Sequence, residues 1–359
     1  MKICDLHCDS AMLWQAGSSL EDTTLHVSLP YLEEANIGLQ VFAAYVPASV
    51  PQGRRFEFAG RMIDCIEQQI ARHPDRIVIC RDSGEVETAS QQGKIAALLA
   101  VENGDAIEGD LRKLQRLYEM GVRLMTLVHS KSNEWVISCS DEQPRFDGLS
   151  AFGEQVVAAM NELGMIIDVS HAHDRAVERV LAGSTTPIVA SHSGMYSISP
   201  VPRNLNDDLA RAIADSGGVV GTIFLPAFLD HTRWKSENER NRKIFAELDR
   251  RTAAAGADGG EVGRAWRSFV GDFQETKDGD RMPLEKLLQH IDHLVGIAGE
   301  DHAAFGSDFD GIPETPAELD DCRAFPTIVE RLRRRGYSEQ RLEKICWSNF
   351  LRVLETVCG

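Results

Sequence analysis

Ile95-Ala96-Ala97-Leu98-Leu99-Ala100-Val101-Glu102 is an apolar run that stops on a carboxylate. A run of this kind reads as a buried strand. Its last residue needs a reason to be there, because burying an unpaired carboxylate is costly. Short apolar runs recur along the chain, over residues 2–9, 38–46, 123–129, 165–171, 188–192, 219–225 and 303–308. With 95–102 these make eight candidate strands, and longer amphipathic segments lie between most of them. Residues 56–72 and 109–120 are periodic in the helical sense, and Ala151–Leu163 stops at Gly164 as a helix with a glycine cap does. Alternating strands and helices are the signature of βα units, and eight strands close a barrel. We therefore expect one α/β (β/α)8 barrel over residues 1–359. The stretch 229–283 is charged, carries Gly256, Gly259, Gly260 and Gly263, and is too long for a simple crossover. It is expected to be a partly helical insertion over the barrel mouth.

Six of these eight strands close on residues that share a chemistry. They are His7 and Asp9, Glu102, His129, His171, His192 and Asp308, all able to ligate a metal or move a proton. In a barrel of this type catalytic groups project from the carboxyl ends of the strands. One strand-end histidine is more often a capping or surface residue, but seven such groups at corresponding positions form a pattern. His7 and Asp9 lie two apart, so strand alternation points both to one face and turns Cys8 away. Glu102 has two oxygens and can bridge two cations. His171 and His192 are neutral-nitrogen ligands of the kind zinc prefers. By alternation His173 shares a face with His171 and Asp310 with Asp308, so both are rivals for those roles.

Bulk properties narrow the partners. The chain has 359 residues, 43% hydrophobic and 26% charged, with net charge −17. That charge argues against nucleic acid or an anionic membrane as partner. The basic cluster of Arg331 and Arg333 to Arg335 alternates with acids and reads as a solvated helix face. The eight cysteines are scattered without CxxC spacing, a poor disulfide framework. No apolar run reaches the ~18 residues that span a bilayer. Met1 to His7 runs straight into a strand, leaving no room for a signal peptide, so a cytoplasmic, reduced protein is expected.

Taken in order, Asp5-Leu6-His7-Cys8-Asp9, Val101-Glu102-Asn103-Gly104, Leu127-Val128-His129-Ser130, Ile167-Asp168-Val169-Ser170-His171, Ser191-His192-Ser193, Arg203-Asn204-Leu205, Gly306-Ser307-Asp308-Phe309-Asp310-Gly311 and Trp347-Ser348-Asn349-Phe350-Leu351-Arg352-Val353 resemble the membrane dipeptidase (renal dipeptidase) family of zinc peptidases, in the amidohydrolase-like barrel group. The resemblance implies a dipeptidase with two zinc ions per chain. His7, Asp9 and Asp308 would hold one, His171 and His192 the other, and Glu102 would bridge them. It implies a zinc-bridging hydroxide as nucleophile, Asp308 as proton carrier, and His129 as the group that contacts the scissile bond. Arg203 would bind the substrate's free carboxylate, and a C-terminal D-residue or some β-lactams would be accepted. Without a leader or a hydrophobic tail the chain is similar to soluble bacterial members. One departure stands at the seventh strand, where Thr222-Ile223-Phe224-Leu225-Pro226 lacks the Asn-Phe pair of the family. Two other readings compete. One is a binuclear barrel hydrolase of another amide or lactam, a β-lactam included, or of a lactone or phosphoester. Such sites commonly use a modified lysine, and here only Lys131, beyond His129, comes near. The other is an inactive relative kept as a binding protein. A homodimer is one expectation for the assembly.

Overall fold

A computed structural model describes residues 1–256, 258–275 and 281–359 of the chain. Its sheet contains β1 (Ile3–Cys8), β2 (Ile37–Tyr45), β3 (Ile77–Ile79), β4 (Ile95–Glu102), β5 (Val122–Thr126), β6 (Ile166–Asp168), β7 (Val189–Ser193), β8 (Val219–Thr222) and β9 (Ala303–Phe305). All neighbouring pairs are parallel. The order β2-β1-β9-β8-β7-β6-β5-β4 closes through direct pairing of β2 with β4 from Leu39↔Ala96 to Tyr45↔Glu102. Eight strands thus form the expected closed barrel.

The short β3 is an addition to the sequence reading. It pairs with Ile95, Ala96 and Ala97 of β4, and β5 pairs with the same strand from Leu99 onward. Since β2 occupies one edge of β4, β3 and β5 share the other in succession. The strands are also shorter than the apolar runs suggest. His129, His171 and Asp308 lie three residues past the ends of β5, β6 and β9.

Two layers of apolar packing hold this arrangement. Inside the barrel, Cys4, Leu6, Leu39, Val41, Ala96, Leu98, Leu124, Ile166, Val189, Val219 and Ala304 form one cluster drawn from all eight barrel strands. Phe350, Val353 and Leu354 of the helix Asn349–Cys358 complete it. The filled interior is a core rather than a pore. Helices cover the outside, among them Ala151–Leu163, capped by the Ser150 side chain and ended by Gly164 in the left-handed conformation at φ 72. The basic face expected around Arg331 is a lattice of surface ion pairs with Glu318, Glu330 and Glu339.

The excursion expected at 229–283 contains the helices His231–Ala255 and Gly259–Glu275, while residues 257 and 276–280 lie outside the described residues. Its glycines have separate uses. Gly256 ends the first helix at φ 65. Gly263 lets the second helix approach the helix Ser10–Gln15, since a Cβ there would stand 2.3 Å from the Met12 carbonyl. Trp266 of that second helix donates its indole N–H to the Asp310 carbonyl at 2.9 Å. No helix among the described residues is long and apolar enough to cross a membrane.

Candidate metal centre

At the carboxyl ends of the barrel strands His7, Asp9, Glu102, His129, His171, His192 and Asp308 converge. Their ligand atoms fall into three overlapping groups: His7 with Asp9 and Glu102, Glu102 with His129 and His171, and His7 with His192 and Asp308. Glu102 lies between the imidazoles. Its Oε2 is 3.7 Å from His7 Nε2, while Oε1 is 3.2 Å from His171 Nε2, 3.6 Å from His192 Nε2 and 3.7 Å from His129 Nε2. Asp9 Oδ2 stands 3.5 Å and Asp308 Oδ1 3.9 Å from His7 Nε2.

Backbone conformation aims several of these groups. His171 at φ 67 and Asp308 at φ 62 are in the left-handed region, which a side chain other than glycine rarely adopts. Both sit on the turns just beyond their strands, so alternation ends before them. The two rivals expected by alternation, His173 and Asp310, make other contacts. His173 is the N-cap of the helix Asp174–Gly183, where its Nδ1 accepts the Arg175 N–H at 3.2 Å. The Asp310 carboxylate accepts from the Ser10 hydroxyl, the His26 N–H and the Val27 N–H, and belongs to none of the three ligand groups.

The electrostatics suit a cation. Burial alone would push the His7 imidazole down, but the Glu102 and Asp9 carboxylates outweigh it and hold His7 well above the ordinary histidine range. Burial lowers His171 and His192 well below that range, with Arg203 and the neighbouring imidazoles adding to the effect. Burial raises Asp9 and Asp308; Glu102 adds to both and Asp9 adds to Asp308, while His7 opposes in each case. A cation among them reverses the penalty on every carboxylate and favours the neutral imidazoles. His7 Nδ1, His7 Nε2 and Asp9 Oδ1 are buried without a hydrogen-bond partner. Orphaned polar atoms of this kind call for an ion or a water. Nitrogen and oxygen donors at a strand-end cluster fit a divalent metal, zinc among them.

Arg203 lies beside the cluster. It donates to the His192 carbonyl at 2.7 Å and to Ser193 Oγ at 3.0 Å. It is 6% exposed, its Nε has no partner, and no carboxylate pairs with it among the described residues. Beyond β8, where an Asn-Phe pair is expected from the resemblance, Phe224 packs into the core against Phe309 and Phe325. Phe228 on the short helix Pro226–Leu229 covers the guanidinium of Arg203 at 5.7 Å. Sequence reasoning gave no role to Tyr45, whose hydroxyl lies 3.3 Å from His129 Nδ1. Nor did it assign one to Asp5, Asp168, Ser191 or Ser307. A carboxylate in the middle of an apolar strand, as in Ile3-Cys4-Asp5-Leu6 and Ile166-Ile167-Asp168-Val169, is the signal that could have found the two aspartates.

The family model for membrane dipeptidases, peptidase family M19, matches residues 1–358. The chain belongs to the membrane dipeptidase family. Its membership makes it a hydrolase of metallopeptidase type, and the buried cluster is the candidate metal centre of such a peptidase. An uncharacterised protein from the pqqA 5′ region of Klebsiella pneumoniae is 33% identical over 313 residues, covering 86% of this chain and 99% of that protein. Dipeptidase verJ of Clonostachys rogersoniana is 28% identical over 342 residues, 92% of this chain and 76% of its own length. Among solved structures, a family M19 metallopeptidase named dipeptidase AC superposes with TM-score 0.82 at 25% identity, covering 100% of this chain and 99% of its own. A metallopeptidase of Rhodobacter sphaeroides, solved with a phosphinate mimic of L-Ala-D-Ala, shares the fold at TM-score 0.80 and 24% identity, over 99% of both chains.

Proposed function

We propose that this chain is a zinc-dependent dipeptidase whose substrate is anchored by its free carboxylate. The observation that carries the reading is Arg203, a buried cation with an unpartnered Nε and no paired carboxylate among the described residues, set against the ligand cluster. Guanidinium groups recognise carboxylates through two parallel N–H donors. Burying one without a counterion is costly unless a ligand supplies the charge.

His7, Asp9 and Asp308 would hold one zinc, His171 and His192 the other, with Glu102 shared. The facing of the two Glu102 oxygens toward different imidazoles supports that division. Cations held there would supply a water of lowered pKa as nucleophile and polarisation of the scissile carbonyl. Asp308 would take up the proton of the nucleophilic water and hand it to the leaving amine. His129 offers an N–H from Nε2 to the oxyanion that develops as the carbonyl is attacked. Arg203 fixes the C-terminal end, so the register of the scissile bond is set by one residue's length. We read the whole chain as one catalytic barrel with residues 229–283 as a cover over its mouth. The family resemblance extends the reading to a C-terminal D-residue.

Arg203→Ala tests this. It should lower kcat/KM for dipeptides by about 2–5 kcal/mol of transition-state stabilisation, the usual cost of deleting one partner of a buried charge pair. Zinc content should be unchanged. Dipeptide amides should be poor substrates for the parent and nearly insensitive to the change. Equal turnover of dipeptides and their amides by the parent would give Arg203 some other role.

A further inference from the structure

Two buried aspartates beneath the cluster take no part in the mechanism above. Asp5 of β1 and Asp168 of β6 are fully inaccessible, and no cationic side chain pairs with either among the described residues. Each instead grips one serine of the neighbouring strand at two points. Ser307 donates its N–H to Asp5 Oδ1 at 2.8 Å and its hydroxyl to Oδ2 at 2.6 Å. Ser191 donates its N–H to Asp168 Oδ1 at 2.8 Å and its hydroxyl to Oδ2 at 2.6 Å. Gln40 adds a third donor to Asp5 at 3.0 Å. Ser170 N–H at 3.0 Å and Thr126 Oγ1 at 2.6 Å bring Asp168 to four.

What each clamp joins is informative. Ser307 immediately precedes Asp308, and Asp5 precedes His7 and Asp9 on β1. Ser191 immediately precedes His192, and Asp168 precedes His171 beyond β6. The Asp5–Ser307 clamp therefore ties together the two segments that would hold one zinc. The Asp168–Ser191 clamp ties the two that would hold the other. At His192 the second clamp reaches further. The Ser191 hydroxyl gives its proton to Asp168, so it offers only lone pairs to His192 Nδ1 at 2.8 Å. Nδ1 then carries the ring proton, and Nε2 presents a lone pair toward the cluster. That Nε2 stands 3.0 Å from His171 Nε2.

We propose that Asp5–Ser307 and Asp168–Ser191 are a matched pair of positioning clamps, one for each metal position, and that the second also sets the tautomer through which His192 binds metal. This rests on the two-site division in the proposed function. Groups behind the ligands fix ring orientation and ligand basicity, and their loss typically weakens metal affinity 10- to 100-fold.

The test uses full-length protein, first metal-free and then titrated with zinc against a chelating dye. In Asp168→Asn the remaining oxygen serves the two backbone N–H groups, and the amide nitrogen faces the Ser191 hydroxyl. That hydroxyl must then accept, and its proton turns to His192 Nδ1. Selective 15N labelling of histidine should show His192 protonated at Nδ1 in the parent and at Nε2 in the variant. One zinc equivalent should weaken about 10- to 100-fold while the other is unchanged. Asp5→Asn should weaken the opposite equivalent in the same range and leave the His192 tautomer alone. Should either asparagine variant fail to fold, Ser191→Ala and Ser307→Ala keep the buried carboxylates and should give the same site-selective losses. Equal weakening of both equivalents by either change, or an unchanged tautomer with unchanged affinity, would overturn the clamps alone. A parent that binds a single equivalent would overturn the two-site reading itself, and the clamps with it.

Discussion

Gly311 has no room for a side chain, because a Cβ there would stand 2.1 Å from Asp9 Oδ2 and 2.5 Å from Asp308 Oδ1. The glycine lets two carboxylates approach from opposite ends of the chain. Gly311→Ala should drive them apart and empty the metal position they would share on the proposed reading, which metal analysis on folded protein would read as lost zinc. A full complement of metal in that variant would remove Asp9 or Asp308 from the ligand set. The two aspartates flanking Phe309 separate in the same way. Asp308→Asn adds no backbone strain, since asparagine tolerates the left-handed conformation at φ 62. It keeps one coordinating oxygen but cannot carry a proton, so kcat should fall by ~10²–10⁴ with zinc largely retained. Asp310→Asn should act instead on stability. That carboxylate holds Ser10 and the 26–27 loop, and its backbone receives Trp266. Collapse of turnover in Asp310→Asn alongside a near-normal Asp308→Asn would exchange the two assignments.

At the scale of elements, the helix Leu284–Ala298 is tied to the barrel through His290. Its Nδ1 accepts the Met195 N–H at 2.9 Å and its Nε2 donates to the Leu229 carbonyl at 3.0 Å, so the ring is used as a neutral group. Burial lowers His290 to about 4, with nearby Lys286 and His293 adding to the effect and Asp230 opposing it. The unfolded chain takes up that proton near the ordinary value of about 6.5, and the folded chain only near 4. His290 therefore contributes fully above about pH 6.5 and loses up to about 3 kcal/mol as pH falls toward 4. Denaturant titrations of the parent and His290→Gln should show a steeper acid loss in the parent across that window. Parallel curves would show that His290 does not control it.

Elements were also the level at which the sequence was most legible. Apolar runs located every barrel strand, because burial from both sides leaves no choice of residue. Three-residue β3 escaped, since Ile77-Val78-Ile79 is too short to stand out from its flanks. The strand ends were overrun because the left-handed turns at His171 and Asp308 carry no glycine to announce them. The candidate ligands could be named by chemistry and position, whereas the buried state of Arg203 and the Asp–Ser clamps depend on contacts between distant segments.

For the whole molecule, a closed barrel brings together a buried set of nitrogen and oxygen donors and an arginine that no carboxylate pairs with among the described residues. The barrel brings residues as distant as His7 and Asp308 within 3.9 Å of each other, which no local sequence feature could arrange. On the proposed reading hydrolysis needs a pair of metals rather than one. The most direct measurement is stepwise zinc titration of metal-free protein, with release of free amino acids from an unblocked dipeptide followed at each step. Activity should rise to a plateau reached only at two equivalents of zinc per chain. A plateau at one equivalent, or full metal loading without dipeptide hydrolysis, would contradict it.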